Sequence, residues 1–253
     1  MRTPTATRWL GFAERSTVGK AKQIIVKPIG AKSAERIVKA LHYSGKVAAI
    51  SQLHFGVFLD GKCGGAMQFG PPIDRRKLLP LVRGTKFNNF LELNRMAFAD
   101  WLPKNGESRC IAYAMRYIKK HYPHIDWIIS FADGTQCGDG TIYRASGFEL
   151  TQIKRNSTIC KLKSGEVAAN HGTSKKDFTG AKKLPGFQLR YMYFLNKESR
   201  ANLTVPVLPF SDIDKYGARM YKGKFNPSVS SETSDTSNCQ FEKGGATPTD
   251  THQ

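Results

Sequence analysis

The sequence predicts an α/β (α+β) fold built on a mixed sheet, and three stretches carry that prediction. Leu53 to Leu59 and Cys63 to Phe69 alternate apolar with polar residues and flank Asp60-Gly61, a hairpin signature that makes the two strands antiparallel. Phe90 to Phe98 reads as a strand, Glu107 to Tyr122 as a helix and Trp127 to Ala132 as a buried strand. Strand, helix and strand within about forty residues form a βαβ unit, so these two strands should lie parallel. Leu189 to Leu195 (LRYMYFL) adds a strong late strand.

The remaining elements follow in chain order. Residues 1–20 form a loose polar leader. Lys22 to Lys27 is β-branched and reads as a strand, while Lys32 to Leu41 places Ala34, Ile37, Val38 and Leu41 on one helical face. Pro71-Pro72 ends the hairpin, and DRRKLLPLVRGTK after it is basic and irregular. In FLELNRMAF, Leu91, Leu93 and Arg95 alternate against Phe90, Glu92, Asn94 and Met96. After Ala132 come a turn rich in glycine, a short helical stretch Thr141 to Ser146 stopped by Gly147, and a strand-like run Phe148 to Ile153. Lys154 to Lys183 is basic, hydroxyl-rich and weakly periodic, which predicts a surface loop or insertion; Ser211 to Lys224 supports no assignment. The expected organisation is a leader over 1–20, one domain over 21–225 and a Ser/Thr/Gly-rich, disordered acidic tail over 226–253.

Composition narrows the function classes. No apolar run reaches the roughly twenty residues that span a bilayer, and the start lacks the apolar centre of a signal peptide, so a cytoplasmic location is expected. The five cysteines are scattered and form no CxxC pair, against a zinc ribbon or a disulfide framework. Net charge is +19; the tail contributes −3, leaving +22 on the body. A body this basic suits a polyanion, above all nucleic acid, because neutralising phosphates releases counterions. Without an amphipathic basic helix a membrane is the weaker partner. Candidate phosphate contacts are Arg75, Arg76 and Lys77 after the hairpin, and Lys175, Lys176, Lys182 and Lys183 in the later basic stretch.

Several residues suit chemistry. A strand that ends in a Gly-containing turn opening a helix offers unpaired amides to an anion such as pyrophosphate. Lys104, Asn105, Gly106, Ser108 and Arg109 occupy that position. Arg95 lies mid-strand, where a charge needs a partner or a cleft; strict alternation would deny it Glu92. Asp133 sits at the carboxyl end of a strand, where open α/β sheets place function. Asp139 is a base or a solvated loop residue, and His54 and Cys137 read as structural.

Strand, turn, long helix, strand and short helix with Tyr143-Arg144-Ala145-Ser146-Gly147-Phe148 resemble the GNAT superfamily of N-acetyltransferases. The resemblance implies a mostly antiparallel central sheet flanked by helices on both faces, acetyl-coenzyme A or a related donor at the turn, and Tyr143 as the acid that protonates the departing thiolate. The turn departs from the superfamily pattern, with Pro103, Gly106 and Ser108 in the positions usually held by Gln or Arg, Gly, and Gly or Ala.

HYSGK at His42 to Lys46, HFGVFLDGKCGGAMQFGP at His54 to Pro71, LELNRMAF and FADGTQCGDGTIYRASGF resemble, more specifically, the Mom family of phage DNA-modifying proteins. The resemblance spans roughly Ala34 to Leu150, with LRYMYFL inside it. It implies conversion of adenine in double-stranded DNA to N6-carbamoylmethyladenine, which hides phage DNA from restriction. It also implies iron at His42, Tyr43 and Asp133, with Asp133, Arg95 and Tyr143 as catalytic residues. The alternatives are a conventional N-acetyltransferase for protein, RNA or a small amine, and a non-catalytic DNA-binding protein.

Overall fold

Alternating apolar residues give each central strand two sides to bury, and the chain covers both with helices. The computed structural model describes residues 20–42, 44–134, 140–170, 176–184, 186–216, 220–221 and 224–225. The expected leader, apart from Lys20, and the expected tail lie outside these residues, as do Tyr43, Lys175, Cys137 and Asp139.

The main strands are β1 (Ile25–Pro28), β2 (Leu53–Leu59), β3 (Lys62–Gly70), β4 (Phe90–Phe98), β5 (Trp127–Asp133) and β6 (Glu149–Asn156). After them come β7 (Ile159–Lys161), β8 (Val167–Ala169), β9 (Lys182–Lys183) and β10 (Gly186–Phe194). The helices are α1 (Ala31–Leu41), α2 (Arg75–Leu78), α3 (Gly106–His121), α4 (Thr141–Ala145), α5 (Lys197–Ala201) and α6 (Asp212–Lys215). Seven strands form the central sheet in the order β1-β2-β3-β4-β5-β10-β6. Every pairing is antiparallel except β4 with β5, the pair that the βαβ reading made parallel. The late strand β10 enters between β5 and β6.

One face carries the larger core. Cys110, Ile111, Ala114, Met115 and Ile118 of α3 pack with Phe55, Met67, Phe69, Leu93, Ile128, Leu150 and Tyr191 from the strands. On the opposite face α1 buries Val38 against Ala66 and Ala97, whose small side chains let the helix approach. Beside it Leu81 and Val82 cover Phe90, Trp127, Ile129 and Met192. The helices therefore flank a mixed, mostly antiparallel sheet on both faces, as expected.

Four expectations change. The first strand is shorter, because Lys20–Gln23 coils into a 3-10 turn before β1. DRRKLLPLVRGTK is not irregular throughout: Arg75–Leu78 is a helical turn continued by a 3-10 turn at Leu79–Leu81. Lys154–Lys183 is not a bare loop, since β6 runs to Asn156 and β7, β8 and β9 form a separate three-stranded sheet. Ser211–Lys224 contains α6, followed by a two-stranded ribbon pairing Met220–Tyr221 with Lys224–Phe225.

Candidate active site

The parallel pair β4–β5 is a fork. Its ladder holds three residue pairs, Phe90 with Trp127, Leu91 with Ile128 and Glu92 with Ile129. Beyond them β4 continues to Phe98 and β5 to Asp133 without pairing to each other. The facing edges there carry backbone N–H and C=O groups with no cross-strand partner in the ladder, and such groups invite a ligand.

A bulge in β4 decides which side chains face the gap. Gln68 pairs with Arg95 and Phe69 with Leu93, so Asn94 is an extra residue in β4. Before the bulge Leu91 and Leu93 face the α3 core; after it Met96 and Phe98 do. The phase slip turns Arg95 away from the α3 side, onto the α1 face with Glu92 and Ala97. The strict alternation expected for FLELNRMAF, with Arg95 opposite Glu92, is therefore wrong. Burial pushes the Glu92 carboxyl up, while Arg95 and a hydrogen bond with Asn94 pull it back in part. Glu92 thus stands at the apex of the fork as a desolvated carboxylate beside a cation.

Arg95 Nε donates to Lys46 O at 3.0 Å and Nη1 to Asn94 O at 2.6 Å. Ser51 Oγ donates to Asn94 Oδ1 at 2.9 Å. The segment 44–52 is therefore strapped across β3 and the bulge, so closely that a Cβ on Gly70 would meet Ile50 O at 2.6 Å. Beneath it Gln68 is fully buried. Burial keeps His54 neutral by lowering its pKa, so Gln68 Nε2 can donate to His54 Nδ1 at 3.3 Å. Gln68 Oε1 is left with no hydrogen-bond partner among the described residues.

His42 caps the end of α1. Burial first, and Arg95 second, lower its pKa to about 4, so the imidazole is neutral at physiological pH. Its Nδ1 accepts from the Ser44 amide at 3.2 Å. Asp133 ends β5 in alternation with Trp127, Ile129 and Phe131, which puts it on the α1 face at the open end of the fork. His42, Arg95 and Asp133 therefore share one face. Among the described residues no group of three or more His, Cys, Asp or Glu converges. His42 and Asp133 alone do not complete the iron site that the resemblance implies, whose third residue, Tyr43, lies outside the described residues.

Tyr143 occupies the other face. It is 8% exposed, stacks on Tyr191 with ring centroids 4.1 Å apart and meets Phe148 edge-on. Its hydroxyl lies 2.9 Å from Ser130 Oγ, and Ser130 is the first β5 residue past the ladder. Gly140, at φ 73°, starts α4 close to Tyr191; a Cβ there would meet the Tyr191 hydroxyl at 2.2 Å. The proposed catalytic set is thus divided by the sheet, with Arg95 and Asp133 on one side of the gap and Tyr143 on the other.

The turn before α3 has the expected position and a different internal logic. Asn105 takes the left-handed conformation at φ 63° and caps the helix. The Gly106 amide donates to Pro103 O at 2.9 Å, and the first intrahelical bond runs from Arg109 to Asn105. That leaves the Glu107 and Ser108 amides at the positive helix end. Lys104 and Arg109 are exposed beside them, although Arg109 Nη2 also donates to Lys22 O at 3.2 Å. Ser108 Oγ donates back to Asn105 O. Gly106 is buried, and its absent Cβ makes room for Ile24 rather than for a ligand.

The two basic groups differ. Arg75 stacks over Phe87 and Phe90 and donates to Asn88 Oδ1 at 2.6 Å. Lys77 pairs with Asp74 at 2.6 Å, leaving Arg76 exposed. Phe90 begins the β4–β5 ladder, so this cluster stands at the closed end of the fork. Lys176 pairs with Glu166; Lys182 and Lys183 are exposed on β9.

Sequence reasoning missed Glu92, Ser130 and the Gln68–His54 pair as site residues. The signal for the first was present: apolar residues at 91 and 93, then at 96 and 98, register a slip of one residue.

The chain matches the profile of the Mom protein family over residues 23–212. It is 32% identical over 196 residues to the methylcarbamoylase mom of Escherichia phage Mu, covering 72% of this chain and 80% of that protein. Among solved structures it overlaps an IAA acetyltransferase from Bacillus cereus at TM-score 0.43 and 10% identity, covering 68% of this chain and 99% of the other. A spermidine/spermine N-acetyltransferase from Vibrio cholerae overlaps at TM-score 0.44 and 10% identity, with 72% and 99% covered.

Proposed function

Because the chain belongs to the Mom protein family, we propose that it modifies DNA by placing a carbamoylmethyl group on N6 of adenine, so protecting phage DNA from restriction. The family match includes every residue of the fork. The observation that carries a catalytic reading is the gap itself, with a desolvated carboxylate at its apex and a phenol across it.

In this reading the adenine leaves the duplex, because N6 is occupied by pairing and stacking. It enters from the α1 face. Glu92, whose raised pKa suits a base, accepts the N6 proton as the N6–carbon bond forms. Arg95 limits the cost of the carboxylate and offers a cation to the substrate. A coenzyme-type donor, acetyl-coenzyme A or a relative, would be held through its phosphates by the Glu107 and Ser108 amides with Lys104 and Arg109 beside them, and would supply the group to be transferred. Tyr143 gives its proton to the departing group and Ser130 orients the hydroxyl. Ordinary acetyl transfer joins through the carbonyl carbon, whereas a carbamoylmethyl group joins through its methylene. The reaction therefore requires a donor that already carries the carboxamide and bears a leaving group on its methylene. N6 takes that carbon as the bond to the leaving group breaks, Glu92 takes the N6 proton and the leaving group departs with the Tyr143 proton. Acetyl-coenzyme A itself has neither the amide nitrogen nor a leaving group on its methyl, so for this product the donor must be a different compound.

A conventional acetyltransferase is the second reading, favoured by the Glu107 and Ser108 amides between Lys104 and Arg109. Mass spectrometry of nucleosides from plasmid DNA of expressing cells separates the two. Carbamoylmethyladenosine supports the proposal. Unmodified adenosine from cells containing soluble protein refutes it, and an acetylated protein, RNA or amine under those conditions favours the second reading.

A further inference from the structure

We propose that the small sheet β7–β8–β9 is the docking surface for duplex DNA, gripping the phosphate backbone beside the open end of the fork; the inference rests on the DNA reading above. Its placement is fixed by two short connections, Asn156 to Ile159 and Lys183 to Gly186. Both leave the central sheet where β10 pairs Gln188 with Asp133, the last residue of β5. Gly134, one residue further, donates its amide to Phe187 O at 2.7 Å. The small sheet is seated firmly there. Ile159 and Cys160 are buried, and a Cβ on Gly186 would meet Ile159 Cγ1 at 2.7 Å, so the two sheets approach through that glycine.

Charge then identifies the occupant. Lys154, Arg155, Lys161, Lys163, Lys182 and Lys183 are all exposed. Residues 154–184 contain two carboxylates, and both are engaged: Glu166 with Lys176, Asp177 with the amide and hydroxyl of Thr179. Lys161 faces Lys182 directly across the β7–β9 ladder, a like-charge pairing that destabilises a sheet by itself. The Lys163 side chain lies along Gly180, where a Cβ would meet its Cε at 2.7 Å, and so joins the same strip. Such a strip costs folding energy unless an external polyanion balances it. A regular row of phosphates does so, and gains from counterion release. These contacts hold the duplex without reading sequence, which leaves base choice to the fork. The cluster Arg75, Arg76 and Lys77 fits the role less well, since it stands at the closed end and two of its three charges are used internally.

The test compares two variants of the full chain with the parent. One replaces Lys161, Lys163, Lys182 and Lys183 with Gln; the other replaces Arg76 and Lys77 with Gln. Anisotropy of a labelled duplex over a salt series gives affinity and slope, and thermal melting followed by circular dichroism shows that the fold persists. The four-lysine variant should bind duplexes of any sequence at least about tenfold more weakly, with the slope of log K against log salt reduced by about one unit per lost contact. The closed-end variant should match the parent. If instead the four-lysine variant binds and modifies DNA like the parent, the docking surface is wrong and the proposed function stands. Tighter binding of the parent to phosphatidylserine vesicles than to duplex at equal salt would overturn the choice of partner. If the parent shows no salt-dependent affinity for duplex, the surface and the DNA reading fall together. Should the four-lysine variant melt early, pairwise replacement of Lys161 with Lys163, and of Lys182 with Lys183, is held to the same expectation at half the slope change.

Discussion

The two ends of the β4–β5 pair are made of the same strands and built for opposite purposes. At the closed end Phe90 and Trp127 stack 4.2 Å apart at 13°, and the indole N–H donates to Thr85 Oγ1 at 3.0 Å. Asp126 there accepts from Asn89 and Asn196. One buried donor there, Arg75 Nε, has no hydrogen-bond partner among the described residues, but the carboxylate and the indole are both satisfied. The open end holds a bulge, a desolvated carboxylate, a neutral histidine and a buried amide oxygen with no donor among the described residues. Each of these costs stability, and an unsatisfied buried acceptor alone costs about 1–3 kcal/mol. A fold keeps such features where function uses them, and rests their cost on the packed end.

If that division is right, stability and activity respond separately to substitution. The largest effect should come from Trp127→Ala, which removes a fully buried ring and should cost about 3–5 kcal/mol in a denaturant titration. The surviving folded fraction should keep the parental turnover per molecule. A loss below about 1 kcal/mol would show that the closed end is not the anchor.

Glu92→Gln should do the reverse. Turnover should fall by about 10²–10⁴ if Glu92 is the base. A carboxyl whose folded pKa is raised contributes stability at low pH and loses it as pH rises through the folded value. The variant is spared that loss, so at neutral pH it should be as stable as the parent or more so. Its pH–rate profile should also lack the acid limb that protonation of Glu92 imposes on the parent. A variant with parental turnover and an unchanged acid limb removes Glu92 from the chemistry.

Tyr143→Phe should lie between these in effect. The ring stack with Tyr191 survives and Ser130 Oγ loses its neighbour, so stability should change by about 1 kcal/mol. Turnover should fall by about a hundredfold if the hydroxyl is the acid. Equal turnover in single-cycle measurements would make Tyr143 a packed core residue.

The closed end was the legible end. Its strands are apolar over several residues, and the helix between them repeats Ile111, Met115 and Ile118 at helical spacing, so period and length agree. The open end was legible in residue types, since His42, Arg95 and Asp133 do share a face, but illegible in geometry. One inserted residue, Asn94, reverses every side chain after it, and alternation taken at face value put Glu92 and Arg95 on opposite sides. Tyr143 was found by its Gly-Phe neighbours, yet nothing in those neighbours says which face of the sheet it occupies. The small sheet was lost for another reason. Strands of two and three residues are too short to show a period, and their lysines resemble a solvated loop.

The smallest expected effect concerns the turn before α3, where a glycine opens the helix beside the amides expected to hold an anion. Gly106 is the first residue of the helix and points inward, with Ile24 Cδ1 3.0 Å from where a Cβ would stand. That atom is the free end of a flexible side chain and can yield by a few tenths of an ångström. Alanine also favours a helix over glycine by about 0.8–1 kcal/mol, which offsets the crowding. Gly106→Ala should therefore fold with nearly parental stability. If acetyl-coenzyme A binds, it should bind this variant with parental affinity in isothermal titration, because the amides of Glu107 and Ser108 are untouched. Lys104→Ala, which removes an exposed cation beside those amides, should weaken binding by about twofold to fivefold, the scale of one exposed charge interaction. Affinity lost in Gly106→Ala and retained in Lys104→Ala would mean that the coenzyme contacts the inward side of the turn. The helix terminus would then cease to be its phosphate site.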